Sequence, residues 1–180
     1  MKKTIITILL ALVSLASCSS DPQWADEEAH EKTEQLRKQY TPIIAGTWHV
    51  EYIKDKGRFF ERLTFSADGT FTGMRKWQTR KLVTIDGEQR YTDWEDVELS
   101  GTFKGTWQLR YWSPEGNSGK MRNCLQLTAT YDDEERDYMA YSSALTFAYA
   151  DATTLRIQGY YVKAPDGWIN YQRGPSEPNF

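Results

Sequence analysis

The chain has 180 residues, with 22 Lys+Arg against 25 Asp+Glu, two His, two Cys, and 7 Trp, 11 Tyr and 7 Phe. Such a length suits one domain able to bury roughly two-thirds of its unfolded surface, and an aromatic share of 14% excludes a disordered chain despite a mean hydropathy of −0.68. The formal charge of −3 leaves no basic excess to neutralise phosphates, which argues against a nucleic-acid binder.

Met1-Lys2-Lys3 is a short basic start, and Ile5 to Ala16 is an apolar run broken only by Thr7 and Ser14. That run is too short to cross a hydrocarbon core of about 30 Å and has the pattern of a secretory signal peptide. Leu15-Ala16-Ser17-Cys18 resembles the lipobox of bacterial lipoproteins, in which small residues precede a cysteine. The resemblance implies a signal peptide over 1–17 and a diacylglycerol on the sulfur of Cys18, which cleavage makes the new N-terminus. The membrane is then a partner through acyl chains, each buried CH₂ contributing about 0.8 kcal/mol. Ser19 rather than Asp follows Cys18, which resembles outer-membrane sorting. The expected location is the bacterial cell envelope, lipid-anchored, on either face of the outer membrane. With Cys18 acylated, Cys124 has no intramolecular partner and is expected to be a packing residue.

Residues 18–44 are expected to form a tether and one short helix, Trp24 to Tyr40. Asp21-Pro22 opens it, Asp26, Glu27 and Glu28 suit the positive end of its dipole, and Arg37 and Lys38 the other. The residue before Pro42 is biased out of helix. Ala25, Ala29, Leu36 and Tyr40 make a thin apolar stripe, which reads as a spacer packing against one end of the domain.

From Ala45 the period changes to two. The clearest run is Leu99, Gly101, Phe103, Gly105, Trp107, Leu109 and Tyr111, and its two glycines mark a bend or close approach. Leu125 to Tyr131, Tyr141 to Tyr149, and Leu155 to Tyr161 repeat the pattern. Turn signals at 67–69, Asp86-Gly87, 114–119, 132–136 and Asp166-Gly167 separate the runs. About eight to ten strands with no intervening helix predict an all-β, up-and-down antiparallel β-barrel over 45–174, followed by a tail at 175–180.

Two parts of this meander resemble the lipocalin-like domain of bacterial lipoproteins, a calycin-type barrel. Gly46-Thr47-Trp48 is similar to the Gly-x-Trp opening of the first lipocalin strand, and Tyr171-Gln172-Arg173 places an Arg where lipocalins pack one over that Trp. The hairpin sequence 63–71, then Gly105-Thr106-Trp107 and the strand at 125–128, extend the similarity over roughly 46–174. The resemblance implies an eight-stranded barrel with an internal cavity, with Gly46, Trp48 and Arg173 closing one end. Avidins share the Gly-x-Trp opening, but Val50 and Lys54 stand where the biotin-binding polar groups would be wanted, so biotin is not expected.

Little chemistry is legible. His30 and His49 are the available imidazoles, and His49 with Glu51 supplies two metal ligands where a site needs more. No nucleophile elbow, zincin helix or phosphate loop occurs, so neither an enzyme, a cofactor nor a metal is expected. Asp132 to Glu135 reads as a solvated charge run. The positive signal is aromatic: with Trp48, Val50 and Tyr52 inward, period two turns Trp107, Tyr111, Tyr131, Tyr141, Tyr149 and Tyr161 the same way. These residues would line a site for a small hydrophobic or aromatic ligand. The alternative is a filled barrel, whose surface residues Trp112, Tyr160 and Trp168 with the 113–120 loop contact a partner protein or an envelope glycan. A hollow or filled interior separates the two.

Overall fold

A computed structural model describes residues 27–114, 119–133, 135–136, 138–159 and 166–180. The expected signal peptide over 1–17, Cys18, Tyr160 and Tyr161 lie outside the described residues. Helix α1 spans Glu27–Ile44 and so continues past Pro42, where the sequence suggested an end at Tyr40. Its last turn is held from outside. The Trp48 indole N–H donates to the Ile44 carbonyl at 2.7 Å, and the Arg173 guanidinium takes the carbonyls of Ile43 and Ala45. These bonds satisfy acceptors that a helix end leaves open. The buried face is Ala29, Thr33, Leu36 and Ile44.

Eleven strands follow among the described residues: β1 Gly46–Lys54, β2 Gly57–Phe65, β3 Thr70–Thr79, β4 Leu82–Ile85, β5 Glu88–Tyr91, β6 Glu95–Asp96, β7 Gly101–Trp112, β8 Arg122–Tyr131, β9 Met139–Ala150, β10 Thr154–Gln158 and β11 Trp168–Arg173. Eight of them close in the order β1-β2-β3-β7-β8-β9-β10-β11, with β11 returning to β1 at the pairs Trp48↔Arg173 and His49↔Gln172. All neighbours are antiparallel. The architecture is an up-and-down eight-stranded barrel, which is compatible with a lipocalin or calycin fold. β4 and β5 pair only with each other, and β6 adds to β3 at Gln78↔Asp96.

Strand β7 outruns its partner. β3 begins at Thr70, opposite Thr106, so residues 107–112 of β7 have no β3 neighbour. Trp107 N–H donates instead to Gly69, Tyr111 N–H donates to Thr33 Oγ1 at 3.0 Å, and Arg37 Nε donates to the Leu109 carbonyl at 3.1 Å. α1 thus supplies side-chain partners to the exposed edge, and covers the barrel end that also holds Trp48 and the β2–β3 turn. Thr33 serves this packing through its hydroxyl, which is why an apolar stripe omitted it.

Gly105 is required by a close crossing, since a Cβ there would lie 1.9 Å from the Thr128 carbonyl and 2.6 Å from Ala129 Cα. In β9, two register shifts reset the alternation. Ala140 is the extra residue against Ala129/Thr130, and Ala148 against Arg156/Ile157. Phe147 then faces inward opposite Ile157, while Tyr149 turns outward opposite Arg156 and is 40% exposed.

Candidate functional site

The middle of the barrel is polar. On β2 the inward positions are Phe59, Glu61, Leu63 and Phe65, so a carboxylate sits on an otherwise apolar face. Arg75 on β3 is its direct cross-strand partner. Glu61 is 0% and Arg75 1% exposed. Arg75 Nε and Nη2 both reach Glu61 Oε1, at 2.8 and 2.7 Å. The other carboxylate oxygen accepts from Tyr141 Oη at 2.8 Å and, at very short range, from Tyr171 Oη. Arg75 Nη1 donates to Tyr131 Oη at 3.2 Å, which itself donates to the Leu99 carbonyl at 2.8 Å. The guanidinium also lies over the rings of Phe103 and Tyr141, at 5.1 and 5.0 Å.

Burial pushes the phenols of Tyr141 and Tyr171 well above the usual tyrosine range, and the negative charge of Glu61 adds to the effect. Both therefore remain neutral donors to the carboxylate at neutral pH. Desolvating a carboxylate and a guanidinium costs several kcal/mol per ion, and only dense hydrogen bonding in good geometry offsets it. Here one carboxylate oxygen accepts from Arg75 Nε and lies in ion-pair contact with Nη2, and the other accepts from two phenols. The cavity beside Glu61, Tyr141 and Tyr171, bordered by Gln158 and apolar side chains, measures about 10 Å³. That is room for one water.

Of the residues expected at the closed end, Trp48 is fully buried and Arg173 stacks over it with its guanidinium carbon 4.6 Å from the ring centroid. Gly46 has φ of +135°, and a Cβ there would lie 2.8 Å from Arg173 Nη1. Glycine lets the arginine approach. Of the residues expected to line a ligand site, only Tyr131 and Tyr141 join the interior cluster. Trp107 is buried at the β2–β3 turn, where its indole N–H donates to the Ser66 carbonyl at 2.9 Å. Tyr111 lies beneath α1 with Lys32 Nζ 4.7 Å from its ring centroid. Tyr52 is half-buried at the far end, and burial raises its phenol pKa. Tyr149 points outward because of the Ala148 bulge, and Tyr161 is outside the described residues.

Glu61, Arg75 and Tyr171 are the additions. Their signal was present in Phe59-x-Glu61-x-Leu63-x-Phe65 and Phe71-x-Gly73-x-Arg75-x-Trp77, where one charge interrupts each apolar alternation. Opposite charges on the inward faces of consecutive strands make a buried pair readable.

The outer surface divides by end. At the far end, the β4–β5 hairpin presents Leu82, Ile85 and Tyr91, with Ile85 50% exposed, and Ile53 is exposed on neighbouring β1. The hairpin's base is tied to the β1–β2 turn by Arg80, whose amide donates to Lys56 and whose Nε donates to Asp55. Trp112 and Met121 lie at the α1 end, whereas Trp168 is half-buried against Arg156 at the far end. Trp112 and Trp168 therefore do not form one patch.

Residues 175–180 cross the outside of β1, β2 and β3. Arg62 binds Glu177 and the Ser176 carbonyl, Glu51 accepts both Asn179 N–H groups, and Phe180 lies under Arg58 and Lys76. Glu51, Arg62 and Lys76 surround Phe60, which points outward from β2 yet is buried. His49 Nδ1 bonds the Gly174 carbonyl at 2.8 Å. Comparison with protein-family models, with curated proteins and with solved structures finds no match.

Proposed function

We propose that this chain is a bacterial cell-envelope lipoprotein, anchored through Cys18 to the outer membrane, whose lipocalin-like barrel is a filled scaffold acting through its outer surface. It is a non-enzymatic interaction protein rather than a carrier. The observation that carries this reading is the Glu61–Arg75–tyrosine cluster. It occupies the centre of the barrel, pairs its two charges with each other, and the cavity beside it has space for one water. A hydrophobic ligand entering there would have to displace a paired carboxylate and guanidinium, leaving charges buried without partners at a cost of about 3–5 kcal/mol.

The surface best suited to a protein partner is the far-end hairpin. A two-stranded ribbon is marginal alone in water, and β4 is an uncharged Leu-Val-Thr-Ile strand whose outer edge pairs with no described strand. Such an edge accepts an extended segment by strand addition.

Native mass spectrometry of the protein isolated from its own envelope tests the filled interior. The bare polypeptide mass, with acyl groups on Cys18, is the expected result. A stoichiometric small molecule lost on Tyr141→Phe would restore the carrier reading. A photo-crosslinking residue at Ile85 is expected to capture a protein that the same residue at Thr128, on the barrel wall, does not. Equal capture at both positions would remove the hairpin from the proposal.

A further inference from the structure

We infer that the α1 end of the barrel rests on a zwitterionic phospholipid surface, with Trp112 and Met121 entering the headgroup layer. The inference deepens the lipoprotein reading and rests on it.

Its first support is the course of the chain. Arg37 of α1 bonds Leu109 and Thr33 bonds Tyr111, so α1 runs toward the C-terminal end of β7 as it is followed back to its N-terminus. At 1.5 Å per residue, Glu27 lies about 9 Å beyond Thr33 in that direction, past Tyr111. Nine peptide steps separate Cys18 from Glu27. Fully extended they reach about 30 Å, so an acylated Cys18 keeps this end of the barrel close to the bilayer.

The second support is what that end displays. Trp112 is the last residue of β7, faces outward and is 41% exposed, with Arg110 stacked 4.3 Å from its ring centroid. Arg122 is its register partner across β8. Met121 is 36% exposed and Lys120 is exposed beside it. An indole with a polar N–H beside an exposed thioether and cationic stems suits the boundary between headgroups and acyl chains.

The third is charge. The rim carries Arg110, Lys120 and Arg122, while the first turns of α1 carry exposed Glu27, Glu28 and Glu31, of which Glu28 pairs with Lys32 at 2.5 Å. A strongly anionic surface would attract one set and repel the other. Phosphatidylethanolamine offers both a phosphate and an ammonium, matching the two sets together.

The test uses full-length acylated protein in nanodiscs of phosphatidylethanolamine and phosphatidylcholine. A nitroxide is attached at Met121→Cys, with Ile85→Cys as the far-end control; Cys124 is buried and Cys18 is blocked by lipid. The label at 121 is expected to show several-fold higher collision with oxygen than with a water-soluble nickel chelate, and the label at 85 the reverse. Adding Trp112→Glu is expected to return the 121 label to water-like values, with the melting temperature confirming the fold. Water-like collision at 121 in acylated protein would overturn the docking inference and leave the lipoprotein reading intact. Shielding at 121 that persists in lipid-free protein would also overturn it, by assigning the rim to a protein contact. An N-terminal peptide mass lacking the diacylglycerol would overturn both.

Discussion

Replacing Arg75 by Met would leave the Glu61 carboxylate buried with two phenols and no cation. Glu61 and Arg75 are both essentially inaccessible, and the cation supplies the Nε hydrogen bond and the Nη2 ion-pair contact on one carboxylate oxygen while the two phenols donate to the other. Breaking one half of a buried pair costs about 3–5 kcal/mol, against a total stability of about 5–15 kcal/mol for a domain. With a urea m-value of about 2 kcal/mol per molar, the midpoint should fall by about 1.5–2.5 M. Removing both charges with Glu61→Leu and Arg75→Met removes the unpaired ion, so the double variant should recover most of that loss or exceed the parent. Urea melts followed by tryptophan fluorescence on the four corners of this cycle measure the coupling. A loss below about 1 kcal/mol for Arg75→Met, or a double variant at the sum of the singles, would refute the desolvated-pair account.

Three further outcomes follow from other contacts. Tyr141 and Tyr171 have folded pKa values raised above the unfolded value near 10, so their contribution is complete below pH 10 and lost as pH rises toward the folded values. Stability should fall above pH 10 by up to about 1.4 kcal/mol per pH unit for each phenol. Absorbance at 295 nm should show both ionising with unfolding; native-state titration alongside exposed tyrosines would contradict this. Thr33→Val removes the acceptor for the Tyr111 amide and should cost about 1–3 kcal/mol, with faster amide exchange at Tyr111 as the specific signature. Deleting 175–180 uncovers the Phe60 ring and should lower stability by about 1.5–3 kcal/mol, measured by urea melts; unchanged stability would show that the segment does not cover it.

The barrel was legible because alternation is strict on most strands and because the turns carry their own chemistry. Asp86 adopts φ of +53° and Gly87 +83°, the left-handed pair that an Asp-Gly hairpin requires. The interior was legible only where period two ran unbroken. Phase carried from Tyr141 to Tyr149 fails because Ala148 is inserted against β10, and an alanine gives no sequence mark of a bulge. Tyr111 keeps the inward phase, but β7 has outrun β3 there, so the space it faces belongs to α1. Reading the aromatics alone also drew attention away from the two charged residues on the same faces, although each interrupts an apolar alternation. The extension of α1 through Pro42 depends on Trp48 and Arg173, residues on strands that local propensity does not see.

The seam between β1 and β11 is two residue pairs long, and the segment beyond β11 continues across β2 and β3 like a stitch over that join. Strand β1 is the first part of the barrel to leave the ribosome or a translocation pore, and its second neighbour is the last. The sheet therefore grows as an open ribbon with β1 holding one unpaired edge through nearly the whole of synthesis. The ring closes only when residues 168–180 arrive, and delay at that point leaves an adhesive edge exposed to other chains. Substitutions in the final dozen residues should consequently reduce the yield of folded protein more than they reduce the stability of the molecules that do fold.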